Sequence, residues 1–240
     1  MKQGILFDLD GTLWDSSRQV VESWNEVLRK QPDTDRQITI EDMQGFMGLP
    51  MDEIGRRCFR GQGLPEERVQ EIMRACETYE NDYIRQHGGV LFPHLEEVLA
   101  DLSKDYFLAV VSNCQVGYIE AFLEYHKLDS YFRDFESFGN TGLQKGDNIR
   151  LVCDRNHLDQ AVYLGDIQGD YDSACKAGIP FILAGYGFGQ VDAPVPVIED
   201  LTQLRGAAEK IFAKYPLAQI KRIQQEKIHE ENWYYRSNGS

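Results

Sequence analysis

Three apolar runs, each closing on a polar or acidic residue, constrain this chain more than any other feature. Ile5-Leu6-Phe7 runs into Asp8, Phe107-Leu108-Ala109-Val110-Val111 into Ser112, and Ala161-Val162-Tyr163-Leu164 into Gly165-Asp166. Segments of helical periodicity separate them, the alternation of a parallel sheet covered by helices. Functional groups of open parallel sheets collect at the carboxyl ends of the strands. Asp8, Ser112 and Asp166 are therefore expected along one edge, although they are far apart in sequence.

Between the first run and the second, residues 15–88 read as purely helical. One amphipathic helix opens near Ser16 or Ser17 and carries Val20, Val21, Trp24, Val27 and Leu28 on one face. Thr39 with Asp42 marks the start of a short helix, ended by Gly45 or Gly48. Pro65, at a first helical position, opens a longer one that stops at Gly88-Gly89. The expectation is an α/β core built from residues 1–14 and 89–215, with an all-helical insertion at 15–88. Residues 216–240 are expected to form a charged, helical extension with Trp233, Tyr234 and Tyr235 near its end.

The net charge of −14, from 39 acidic and 25 basic side chains, repels nucleic-acid backbones and anionic membranes, so neither is an expected partner. No apolar run is long enough to cross a bilayer, and the stretch before Asp8 is too short for a signal peptide. Five scattered cysteines without a C-x-x-C pair argue against a disulfide framework and for a reducing cytoplasm.

The strand-end acids carry the chemistry. A carboxylate such as Asp8 is ionised at neutral pH and can attack phosphorus to form an aspartyl-phosphate. Strand alternation puts Asp8 and Asp10 on the same side, so one can act as nucleophile while the other handles the proton on the leaving oxygen. Gly11 allows a tight turn, and Thr12 can direct its hydroxyl inward. Clustered carboxylates repel unless a cation sits between them, and oxygen-only ligands beside phosphate favour Mg²⁺. Asp166 and Asp170 would supply the remaining carboxylate oxygens, while Lys145 and Ser112 would hold the phosphoryl oxygens. A local positive spot inside an acidic protein reconciles its charge with an anionic substrate, and phosphoryl transfer needs mostly such positioning and neutralisation.

These residues also resemble a known family. Phe7-Asp8-Leu9-Asp10-Gly11-Thr12-Leu13-Trp14-Asp15-Ser16 is similar to the first motif, D-x-D-G-T, of the haloacid dehalogenase superfamily. Ser112-Asn113 resembles its second motif, Lys145 its third, and Gly165-Asp166-Ile167-Gln168-Gly169-Asp170 its fourth, G-D-x-x-x-D. The resemblance spans about residues 4 to 190, with the motifs in family order. It implies a Rossmann-like parallel-sheet core with a helical cap domain inserted after the first motif, as in phosphoglycolate-phosphatase-like members. It further implies Asp8 as nucleophile and Asp10 as general acid/base. Mg²⁺ would be bound by Asp8, the backbone carbonyl of Asp10, and Asp166, with Asp170 acting directly or through water. Phosphate would be held by Ser112, Asn113 and Lys145. Gly146 departs from the pattern, since many relatives of this type have proline after the lysine.

The function so read is Mg²⁺-dependent hydrolysis of a small phosphorylated metabolite. A sugar phosphomutase of the same cap type and a phospho-accepting signalling module are the alternatives. Motion at Asp15 and Gly88-Gly89 would let the cap close. Gly45-Phe46-Met47-Gly48-Leu49-Pro50 is either a substrate loop or a packed turn. Arg56 and Arg57 are solvated helix residues or anion ligands. Gly185, Gly187 and Gly189 form a loop over the rim of the site, because no helix follows to receive a pyrophosphate. His126 and His157 fall near helix ends, as partners to the dipole.

Overall fold

The structure, a computed structural model, describes residues 1–214 apart from Met47 and Pro50. The extension expected over 216–240 lies outside the described residues. The chain runs β1 (Gln3–Phe7), β2 (Trp14–Asp15), α1 (Ser17–Leu28), α2 (Ile40–Phe46), α3 (Met51–Cys58), α4 (Glu66–His87) and β3 (Val90–Leu91). It continues α5 (Leu95–Leu102), β4 (Phe107–Ser112), α6 (Tyr118–His126), β5 (Asp134–Ser137), α7 (Phe138–Thr141) and α8 (Lys145–Arg155). The last elements are β6 (Gln160–Gly165), α9 (Gln168–Ala177), β7 (Phe181–Ala184), β8 (Val197–Ile198) and α10 (Leu204–Lys214).

Six strands form one parallel sheet in the order β5-β4-β1-β6-β7-β8. The continuous apolar runs explain this. Strands covered on both faces need no polar alternation, and β1, β4 and β6 are almost wholly buried. Ile5 and Phe7 point into one core, shared with Leu99 of α5 and Phe122 of α6, while Leu6 points into the other, shared with Ile149 of α8 and Ala174 of α9. Each such fully buried aliphatic side chain contributes about 1.5–3 kcal/mol relative to exposure. The α/β, Rossmann-like core expected from the sequence is the fold the chain adopts.

Register decides where the site lies. Phe7 is level with both Val110 and Leu164, so the carboxyl ends of β1, β4 and β6 lie along the same edge of the sheet. Asp8 follows Phe7 directly, and Ser112 and Asp166 each stand two residues beyond their level partner.

The helices between β2 and β3 pack chiefly on one another, with Val20, Trp24 and Leu28 of α1 against Ile72, Met73 and Cys76 of α4. Both crossings to this helical segment run through a two-stranded antiparallel ribbon, Trp14 opposite Leu91 and Asp15 opposite Val90. The ribbon is seated by Trp14, which lies edge-on to Tyr118, Phe122 and His126 of α6. Thr39 and Asp42 bond reciprocally through backbone and side chain at the start of α2, the cap expected from their spacing. Pro65 is the residue before α4 rather than its first helical one. His126 corrects its expected role. Burial beside Trp14 pulls its imidazole down to about 4, so it is a neutral packing residue and no cationic dipole partner.

Candidate active site

The three strand ends do converge. Asp8 is buried just past β1, its N–H donating to the carbonyl of Leu164 at 2.8 Å. Asp166, just past β6, and Asp170, in the first turn of α9, are buried too. One carboxylate oxygen from each of Asp8, Asp166 and Asp170 lies within 4.8 Å of the others. Asp170 serves twice: its Oδ2 also accepts the N–H groups of Asp166 (3.0 Å) and Ile167 (3.2 Å), capping α9.

Lys145, the first residue of α8, is buried beneath these acids. Its ammonium donates to Asp8 Oδ1 at 2.7 Å and to Asp170 Oδ1 at 2.6 Å. Burial acts to lower its pKa, but the charges of Asp170 and Asp8 overcome this and hold it above the ordinary lysine value. The lysine thus meets the acids themselves, and its expected grip on phosphoryl oxygens would have to be shared with them. Gly146 has a local reason: a Cβ there would press on the carbonyl of Ser173 (2.9 Å) and the side chain of Lys176, so glycine lets α8 lie close to α9.

Three carboxylates against one ammonium leave negative charge in excess. Burial, then the charge of Asp170, pushes Asp8 up to about 7 and Asp166 up to about 8. Asp166 Oδ2 accepts the N–H of Phe188 at 2.8 Å, while its Oδ1 is buried without a partner among the described residues. An oxygen-only donor set, surplus charge and an orphaned carboxylate oxygen together fit a hard divalent cation such as Mg²⁺. Gly11, at φ +82°, makes room for this arrangement, since a Cβ there would collide with the Asp166 carboxylate. The loop after β7 closes one side through that Phe188 contact and through Tyr186, whose hydroxyl donates to the Thr12 carbonyl at 2.9 Å.

The carboxylate of Asp10 stands outside the acid cluster. Its Oδ1 accepts from Ser16 Oγ at 2.6 Å and from Tyr118 OH at 3.0 Å. Burial raises Asp10 to about 6, against the lowering effect of those two donors, which suits a group that gives and takes protons near neutral pH. Sequence reasoning misses both donors. Ser16 reads as a helix opener, yet its hydroxyl is committed to Asp10 and caps nothing. Tyr118, the first residue of α6, carries no sequence signal that marks it for the site.

Asp10, Ser112 and Asn113 line a cavity between the core and the helical insertion, with about 50 Å³ of free volume. That is room for a few water molecules. Asn113 spans the two sides, its Nδ2 donating to the Gly48 carbonyl at 2.9 Å. Phe46, Gly48 and Leu49 of the candidate substrate loop line the cavity as well, whereas Met47 and Pro50 lie outside the described residues. Arg56 and Arg57 are exposed and paired with Asp52 and Glu53 on their own helix. Cys114 lines the cavity with its thiol pushed well up by burial, the state of an inert packing residue. Glu80 of α4 also lines it, a buried acid that falls four residues after Cys76 on the buried stripe of its helix.

A family model described as haloacid dehalogenase-like hydrolase matches residues 5–184. The tyrosine-protein kinase PtkA of Mycobacterium tuberculosis is 27% identical over 202 residues, covering 79% of this chain and 64% of that one. A plasmid-encoded phosphoglycolate phosphatase of Cupriavidus necator is 29% identical over 203 residues, covering 82% and 86%. Among solved structures, CbbY from Rhodobacter sphaeroides in complex with phosphate superposes with a TM-score of 0.71 at 20% identity, covering 85% of this chain and 96% of that one. A haloacid dehalogenase-like family hydrolase from Streptococcus pneumoniae gives 0.71 at 22%, covering 86% and 97%. At these identities the structures establish the shared fold.

Proposed function

The chain belongs to the haloacid dehalogenase-like hydrolases, and from that premise we propose that it is a Mg²⁺-dependent phosphohydrolase of small phosphorylated metabolites. The observation that carries the reading is the cluster of Asp8, Asp166 and Asp170 around Lys145, with Asp10 beside it on its own pair of donors. The phosphatases among its relatives support the same class of reaction.

In this reading Asp8, Asp166 and Asp170 hold Mg²⁺ together with the backbone carbonyl of Asp10. The bound ion would offset the charge of the acids and of the phosphoryl oxygens. Asp8 has one oxygen tied to Lys145 and attacks phosphorus in line with the other. Asp10, held by Ser16 and Tyr118, protonates the leaving alcohol oxygen. The aspartyl-phosphate on Asp8 is then attacked by a water that Asp10 deprotonates, which returns Asp8 and releases phosphate. Ser112 and Asn113 supply polar contacts to the phosphoryl group, and Lys145 orients Asp8 and favours its ionised form.

Residues 15–88 act as a cap over a core of 1–14 and 89–215, moving on the ribbon at Asp15 and Gly88-Gly89. At about 50 Å³ the cavity is too small for a metabolite, so the cap moves away from the core to admit one. Five free cysteines suit a reducing cytoplasm, and no helix among the described residues is long and apolar enough to cross a membrane.

A screen of phosphorylated metabolites with and without Mg²⁺, read as phosphate release, tests the reading, and Asp8→Asn should abolish that release. The match to a tyrosine-protein kinase keeps transfer to an acceptor in view as a second reading. That kinase is longer, and this chain spans 64% of it. Phosphate appearing on an added acceptor rather than in solution would favour that alternative.

A further inference from the structure

Glu80 is a buried carboxyl group that the reaction above does not use. It sits on α4 with 4% of its surface exposed and lines the cavity opposite the strand ends. Trp24 Nε1 donates to its Oε2, and Gln115 Nε2 donates to its Oε1 at 2.9 Å. Both partners are donors, so the remaining lone pairs of the carboxyl group ask for further donors. Burial pushes Glu80 up to about 8, the mark of an acid with no cation beside it, so it is a charged, acceptor-only carboxylate above that pH.

The rest of the lining explains that. Its cap side is apolar, supplied by Val20, Met43, Phe46, Leu49 and Ile54, and its described residues include no lysine, arginine or histidine. Met47 and Pro50, which complete the same stretch of chain, are uncharged. Arg56 and Arg57 are outside, paired on the surface of α3. A leaving group with its own carboxylate or second phosphate would meet a lining that, among the described residues, offers no cation and holds two acids, Asp10 and Glu80.

We propose that Glu80 is a specificity-determining residue: it selects phosphomonoesters whose leaving alcohol presents a hydrogen-bond donor, a hydroxyl or an ammonium, and it turns away those carrying a second anionic group. This rests on the phosphohydrolase reading and names the substrate class for it. The Trp24 and Gln115 bonds hold the carboxyl group in place, so the donor is met by a fixed acceptor, while the apolar wall takes the carbon skeleton. Phosphoglycolate, the substrate named for several relatives, belongs to the class turned away.

The test compares kcat/KM at pH 9, where Glu80 is ionised, with Mg²⁺ present, for phosphoethanolamine and glycerol phosphate against phosphoglycolate, in the wild-type protein and in Glu80→Gln. Para-nitrophenyl phosphate, with no second anion and no aliphatic donor, reports whether the protein hydrolyses monoesters at all. The wild type should favour the donor-bearing esters over phosphoglycolate by about tenfold or more, a size expected for one charged hydrogen bond gained and one repulsion avoided. Glu80→Gln should shrink that ratio to within about threefold. Equal or better use of phosphoglycolate by the wild type would overturn the proposal, even with para-nitrophenyl phosphate cleaved. An unchanged ratio in Glu80→Gln would overturn Glu80 as the determinant. Should that variant fail to fold, the wild-type ratio alone decides. No release from any ester would remove the phosphohydrolase reading and this proposal with it.

Discussion

The ammonium of Lys145 lies 2.7 Å from a carboxylate oxygen of Asp8, both side chains being buried, so α8 is tied to the end of the central strand by an ion pair. Truncating one member of such a pair strands the other charge. Lys145→Met should therefore lower stability by about 3–5 kcal/mol. Adding Asp170→Asn, which removes one of the two acids facing the lysine, should recover part of the loss. Urea unfolding of the single and double variants checks both.

Mg²⁺ should stabilise the fold, because it binds the folded acid cluster and has no such site in the unfolded chain. At a hundredfold excess over its dissociation constant the gain is about 2.7 kcal/mol. For a chain of this size that corresponds to a rise of about 5–10 °C in Tm. Asp166→Asn, which neutralises the residue with the orphaned oxygen, should remove the response in a thermal scan.

Gly11 is held at φ +82°, with the Asp166 carboxylate where its Cβ would be. Gly11→Ala should cost about 1–3 kcal/mol from backbone strain and should displace Asp166. The Mg²⁺-induced rise in Tm should shrink in the same variant, whereas strain without displacement would leave that rise intact.

Glu80 makes stability depend on pH. Its folded pKa, about 8, is raised above the ordinary 4.5 by burial. The folded protein then binds the extra proton between those values, so stability is full below pH 4.5 and falls as pH rises toward 8. Every tenfold difference in proton affinity between the folded and unfolded chain corresponds to about 1.4 kcal/mol. Unfolding at pH 5 and pH 8 should show a drop in the wild type that is smaller in Glu80→Gln.

Much of this is legible in the sequence, and the reasons are local. The apolar runs ending at Phe7, Val111 and Leu164 can be nothing but buried strands once helices separate them, and the acids after them have to share an edge. The stripe of Val20, Trp24, Val27 and Leu28 makes α1 plain. What cannot be read depends on contacts across long separations. Ser16 and Tyr118 meet at Asp10 only because the ribbon at Trp14 seats the residue before α1 against the start of α6, and a serine or tyrosine alone carries no mark of that. Strands of two residues, such as β2, β3 and β8, are too short for any periodicity. Glu80 does leave a trace, an acid on the buried face of an otherwise regular helix, and such an acid is the one to question first.

The central claim is that the phosphoryl group passes through Asp8. Borohydride added during turnover reduces an acyl phosphate to the alcohol, so peptide mass spectrometry of the quenched protein should find homoserine at position 8. Reduction at another acid, or none at all while phosphate is being released, would contradict the account.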